Sequence, residues 1–138
     1  MSEKTKVVII DDEIEICNLV KEILERTGRY EVAISTHSRE GVDFIKLNNP
    51  ALVLLDQRMP EMSGLQVAQA VLDDAATKNI TIVFLSAVAT PMAFMASMVE
   101  TDGVPVKPDH AGGQYFIQKP ISPQELVKRL DAILAGTK

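Results

Sequence analysis

Short apolar runs alternate with amphipathic segments along the whole chain, and that alternation limits the possible folds more than any other feature. KVVII at 6–10, ALVLL at 51–55 and ITIVFL at 80–85 are continuous and rich in branched aliphatics. Runs this short and this apolar read as strands covered on both faces. YEVAIS at 30–35 alternates, as a strand at a sheet edge does, and YFIQ at 115–118 reads as a fifth, shorter strand. Helical patterns fill the gaps: 13–27, stopped by Gly28, then 38–47 with Ser38 as its cap, 64–76, 91–100, and a last helix after Ser122. Two of these begin with a capping box, in which a serine side chain and a Glu or Gln three residues on satisfy each other's backbone N–H. They are Ser63 with Gln66, and Ser122 with Glu125, the latter with Pro123 at the first helical position. In the last helix Leu126, Val127, Leu130, Ile133 and Leu134 share one face. Five β-α pairs in strict alternation imply a parallel sheet with helices on both faces, a doubly wound α/β fold.

At 138 residues the chain suits a single domain, 1–138, with a core over about 6–134. Hydrophobic content of 46% against 24% charged residues excludes a disordered chain. The net charge of −5 argues against direct nucleic-acid binding, which needs a basic patch. Cys17 is the only cysteine, so no internal disulfide forms; with Val20 and Leu24 at helical spacing it reads as a small buried hydrophobe. No apolar run is long enough for a signal peptide or a membrane span, and the expectation is a cytoplasmic protein without membrane contact.

In open α/β sheets, ligands bind beyond the C-terminal ends of the strands. Asp11, Asp12 and Glu13 follow the first strand, Asp56 the third, Ser86 and Ala87 the fourth, Lys119 and Pro120 the fifth. Three converging carboxylates repel one another unless a cation neutralises them. All-oxygen donors favour a hard ion such as Mg²⁺, which keeps waters that phosphate oxygens replace. A lysine and a hydroxyl on the same rim suit a tetrahedral anion. Together these point to a phosphoryl group, a metal and a carboxylate nucleophile. Each piece also has an ordinary explanation. Asp12, with Glu15 three residues on, is equally placed to cap the first helix. Asp56 could form a turn before the proline loop. Ser86 could be a small residue after a strand, and Lys119 a solvated turn lysine. The conjunction on four strand ends carries the weight.

VVIIDDE, LVLLDQRMPEMSG, IVFLSA and FIQKP, in this order, resemble the receiver domain of two-component response regulators. The resemblance implies a flavodoxin-like (βα)5 fold with five parallel strands in the order 2-1-3-4-5. It implies that Asp56 is the phospho-acceptor, taking the group from a histidine kinase or a histidine phosphotransfer protein. Asp12 then holds Mg²⁺ directly, Asp11 mainly through water, and Arg58 through its backbone carbonyl, with Asp56 also in the metal set. Lys119 pairs with a phosphoryl oxygen, Ser86 bonds another, and Ala87 keeps the neighbouring space open. A cis peptide is implied between Lys119 and Pro120. Ser86 and Phe116 are the implied switch residues, Ser86 moving toward the phosphate and Phe116 turning inward; Phe116 could instead be an ordinary core ring, with Tyr115 in the surface role. The product is a conformational signal to an unidentified downstream protein or an output domain absent from this chain, so the chain is not an enzyme beyond Mg²⁺-dependent self-phosphorylation and self-dephosphorylation.

The chain departs from the family in one region. Ser86 lies 33 residues before Lys119, and the surplus falls in 101–114, a loop with two prolines and three glycines between the fourth expected helix and the fifth expected strand. Because the family commonly dimerises there, a homodimer of that kind is in doubt. In the fourth expected helix Met92, Met95 and Met98 recur every third residue, either as a core stripe or as an adaptable partner surface. Arg58 and Val88 occupy positions that tune phosphate lifetime in the family, and His37 and His110 read as solvated loop residues. Three rivals fit worse. A dehalogenase-type phosphatase wants an acid where Arg58 stands. A flavodoxin-like cofactor binder wants a phosphate-cradling loop where Asp11 and Asp12 stand. A phosphate-independent receiver would have a damaged pocket.

Overall fold

The computed structural model describes residues 4–56, 59, 61–86, 109–110, 114–118 and 122–136. The elements are β1 (Thr5–Ile10), α1 (Ile14–Arg26), β2 (Tyr30–Ser35), a 3₁₀ turn (Ser38–Glu40), α2 (Gly41–Asn48), β3 (Leu52–Asp56), α3 (Gly64–Asp73), β4 (Thr81–Ser86), β5 (Asp109–His110), β6 (Gln114–Gln118) and α4 (Pro123–Gly136). They form an α/β fold whose sheet runs β2-β1-β3-β4-β6-β5. Every pairing is parallel except that of the two-residue β5 with β6.

The apolar runs become strands because both faces of the sheet are covered. Side chains alternate along a strand, so adjacent residues enter opposite layers. Val8, Ile10, Val53, Leu55, Ile82 and Phe84 pack with Ile45 of α2 and with Val67, Ala68 and Val71 of α3. Val7, Ile9, Leu52, Leu54, Val83 and Leu85 pack with Cys17, Val20 and Leu24 of α1 and with Leu126, Leu130 and Ile133 of α4. The alternating run YEVAIS forms β2 at the sheet edge, as its pattern indicates.

The edge strand β2 is covered by side chains of α1. Lys21 Nζ donates to Val32 O at 2.8 Å, and Val32 N–H donates to Glu25 Oε2 at 3.0 Å. The two side chains also pair with each other at 2.9 Å. Together they satisfy both backbone groups of Val32 much as a neighbouring strand would, a device that blunts an exposed edge.

Several local expectations are borne out, and others change. The box at Ser63 forms both bonds: Gln66 N–H donates to Ser63 Oγ at 3.1 Å, and Ser63 N–H to Gln66 Oε1 at 2.9 Å. Gly28, at φ +78°, follows the last turn of α1 in a conformation that suits glycine. Ser38 does not cap α2. It opens the 3₁₀ turn, and the N-cap of α2 is Glu40, which makes no side-chain cap bond. α3 ends at Asp73 rather than near residue 76, because Asp74 accepts from Ala76 N–H at 2.8 Å and draws the chain into a turn. The expected five-stranded, wholly parallel sheet is also modified. Asp109 and His110, expected in the 101–114 loop, form β5 and pair antiparallel with Tyr115 and Gln114. A short hairpin thus occupies an edge that would otherwise be open. The Met-rich segment 91–100, with Met92, Met95 and Met98, lies outside the described residues. Among the described residues no helix is long and apolar enough to cross a membrane.

Leu54 is fully buried in β3 beneath α1 and α4. Leu54→Ala is expected to lower unfolding free energy by about 2–5 kcal/mol, read from urea denaturation. The hydrogen bond from Lys21, then that from the Val32 N–H, holds the Glu25 carboxyl below the usual glutamate range. Its contribution to stability is complete above the ordinary value of 4.5 and is lost as pH falls through the lower folded-state value. Glu25→Gln is therefore expected to flatten the fall in urea midpoint between neutral pH and the acid side of that value.

Candidate functional site

Strand register builds the site. Ile10 of β1 stands opposite Leu55 of β3, so Asp11 and Asp56, each the next residue, emerge at the same level on adjacent strands. Asp56 stands opposite Leu85 of β4, and Ser86 follows. Ser86 stands opposite Gln118 of β6, the residue before Lys119. Asp11, Asp56 and Ser86, at the ends of three adjacent strands, therefore fall along one sheet rim, where open α/β sheets bind ligands.

Asp11, Asp12 and Asp56 each direct a carboxylate oxygen to one place, with these oxygens all within 4.8 Å of one another. Asp11 is fully buried, Asp56 is 7% exposed and Asp12 is exposed. The site is therefore closed from the sheet side and open toward Asp12. Asp11 continues the β1 ladder by donating its N–H to Ser35 O at 3.2 Å. Its Oδ1 accepts from Glu13 N–H at 2.9 Å, and its carbonyl accepts from the Cys17 thiol at 3.3 Å. The acid is thus held from both sides of its own peptide unit. Glu13 occupies the N-cap of α1 without a side-chain cap bond. Asp12 is not the N-cap residue, which removes the ordinary explanation for that acid.

The donor set fits a hard divalent cation. Two unit charges at this spacing repel by about 1 kcal/mol in water and about 4 kcal/mol at the effective dielectric near a protein surface. Oxygens on an octahedral Mg²⁺ at about 2.1 Å stand about 3–4 Å apart, a spacing compatible with oxygens that lie within 4.8 Å of one another. Neutralising the cluster relieves the repulsion that folding imposes.

The remaining predicted residues are placed less completely. Ser86 is the last residue of β4 and Phe116 lies within β6 opposite Phe84, but their side chains lie outside the described residues. Arg58, Ala87, Val88, Lys119 and Pro120, and with them the expected cis peptide, also lie outside. His37 is exposed, as expected, while the backbone of His110 belongs to β5. Sequence reading missed two contacts. Cys17, taken for a small hydrophobe, is buried but also donates to Asp11 O. Ser38 Oγ accepts from Met62 N–H at 2.9 Å, tying the β2–α2 connection to the loop after Asp56. Neither has a short-range pattern that would reveal it.

The family model for the response regulator receiver domain matches residues 7–131. The chain is 33% identical over 133 residues to the transcriptional regulatory protein SrrA of Staphylococcus aureus, covering 96% of this chain and 49% of that protein. It is 28% identical over 135 residues to the response regulator Rre1 of Synechocystis sp., covering 98% of this chain and 54% of that protein. The chain thus spans about half the length of these curated relatives. Its fold is similar to the solved structure of the chemotaxis response regulator CheY4 of Vibrio cholerae, with TM-score 0.78 and 23% identity, covering 95% of this chain and 99% of that one.

Mg²⁺ at about a hundred times its Kd is expected to raise unfolding free energy by about 2.7 kcal/mol, read from urea midpoints with and without the ion. Asp12→Asn, at an exposed position, is expected to keep the fold and lose most of that increment. Asp56→Asn without divalent cations is expected to be more stable than the unsubstituted chain, because one of three repelling charges is gone.

Proposed function

The chain belongs to the response regulator receiver family, and from that premise we propose that it accepts a phosphoryl group on Asp56 from a histidine kinase or a histidine phosphotransfer protein. One observation carries the assignment: Asp56 ends a fully buried central strand and shares its carboxylate position with Asp11 and Asp12. In the transfer, a carboxylate oxygen of Asp56 forms an O–P bond as the N–P bond of the donor phosphohistidine breaks. The electron pair leaves with the imidazole, which takes up a proton.

Such transfer depends mostly on positioning and charge stabilisation, with little covalent work for the protein beyond the nucleophile. β3 holds Asp56 with its neighbours packed on both faces, so the nucleophile is held by a rigid element. Asp12 and Asp56, and Asp11 through water, would hold Mg²⁺, with the Arg58 carbonyl as a further ligand. Such an ion would supply charge neutralisation at the phosphoryl oxygens and the acid cluster. Lys119 pairs with a phosphoryl oxygen and Ser86 donates to another. Ser86 and Phe116 then shift between two populations, biased by the new contacts, and that shift is the output. The phosphoryl group stays on the chain, so the proposed role is that of a signalling acceptor, with at most Mg²⁺-dependent self-phosphorylation and self-dephosphorylation. The net charge of −5 supports a protein as its downstream target rather than nucleic acid.

Incubation with Mg²⁺ and acetyl phosphate is expected to give an acid-stable, base-labile adduct that is absent from Asp56→Asn and from reactions stripped of metal with EDTA. Equal labelling of Asp56→Asn would overturn the acceptor assignment. An unlabelled wild-type chain under both acetyl phosphate and phosphoramidate would favour a phosphate-independent receiver.

A further inference from the structure

The segment 38–41 is wedged between the two parts of the fold that carry the acids. On one side it presses on β1. A Cβ at Gly41 would stand 2.8 Å from Ile10 Cδ1 and 3.8 Å from Val67 Cγ1. Ile10 is the residue before Asp11, and Val67 lies in α3. On the other side the segment is bonded to the loop after Asp56. Ser38 Oγ accepts from Met62 N–H at 2.9 Å, and Arg39 N–H donates to Glu61 Oε1 at 3.3 Å. Met59 and Met62 pack on the same core layer as Ile10.

Ser38 is only 1% exposed and caps no helix, so its hydroxyl has another role. An alanine there would leave the half-buried Met62 N–H without this acceptor. Losing one such bond costs little net when water can replace it and more when water is excluded. The tie is also a long-range one, joining residues 24 apart in sequence.

We propose that Ser38 is a positioning residue for the phosphorylation site. Through Met62 it holds the far end of the loop after Asp56 at a set distance from the β1 end that carries Asp11 and Asp12. It thereby governs how readily the three carboxylates gather around one cation. This inference rests on the function proposed above, but its first readouts need no phosphoryl transfer.

Three chains are compared: wild type, Ser38→Ala, which removes the acceptor, and Ser38→Thr, which keeps it. Hydrogen exchange at the Met62 amide reads the tie directly. Calorimetry with MgCl₂ reads affinity, and acetyl phosphate labelling reads the half-saturating donor concentration apart from the maximal rate. In Ser38→Ala the Met62 amide is expected to exchange faster and the Mg²⁺ Kd to rise about fivefold, the size of one lost hydrogen bond. Half-saturation shifts upward, while the maximal rate at saturating Mg²⁺ stays near wild type. Ser38→Thr restores the affinity. If Ser38→Ala does not fold, Ser38→Cys, of similar size and with a weaker acceptor, must show the same rise. A folded variant with faster Met62 exchange and unchanged Mg²⁺ affinity would overturn the proposal, leaving the tie a purely structural one. A wild-type chain that binds Mg²⁺ but is never labelled would instead overturn the function, and the affinity comparison would still decide the role of Ser38.

Discussion

The parallel pairing of β1 with β3, in the register that sets Ile10 opposite Leu55, is the constraint on which the rest depends. Adjacent strands lie about 4.8 Å apart, so two acids that each follow a paired residue must arrive side by side. A slip of one residue would move every core side chain to the wrong layer. The burial that fixes the two hydrophobic layers therefore also fixes the spacing of Asp11 and Asp56. The core alone brings Asp11 and Asp56 side by side, and the proposed role of the Ser38 tie is confined to how readily the cluster closes on a cation.

That arrangement opposes itself electrostatically, and the surrounding contacts show how it is restrained. Asp11 is held by Glu13 N–H at its carboxylate and by the Cys17 thiol at its carbonyl. The loop after Asp56 is held by Ser38 and by the capping box of α3. Asp12 is left exposed at the mouth. Two buried acids and one exposed acid suit the proposed role, in which the site would admit both a small cation and a phosphoryl donor. The edge cover of Lys21 and Glu25 acts far from this site, limiting the partners that can add to β2.

Much of this was legible in the sequence, for a physical reason. Buried parallel strands need continuous apolar runs, so β1, β3 and β4 announced themselves, and each run stopped at its polar residue. The capping box at Ser63 was equally plain, because its two partners lie three residues apart. What escaped sequence reading depends on contacts between distant segments. Ser38 has the composition of a helix cap, yet its partner is Met62, and Cys17 has the spacing of a core residue, yet its thiol meets a carbonyl of the acid pair. The β5 hairpin arises from a stretch whose prolines and glycines spell loop, because pairing with β6 outweighs local preference there. Asp12 looked like a cap only because Glu15 has the matching spacing; the chain turns one residue later, at Glu13.

Of the three clustered acids, Asp56 alone is proposed as the nucleophile. Borohydride reduces an aspartyl phosphate to homoserine, and peptide mapping by mass spectrometry then locates the residue. After treatment with Mg²⁺ and acetyl phosphate, homoserine is expected at position 56, with Asp11 and Asp12 unchanged. Homoserine at position 11 or 12, or at an acid outside the cluster, would contradict it.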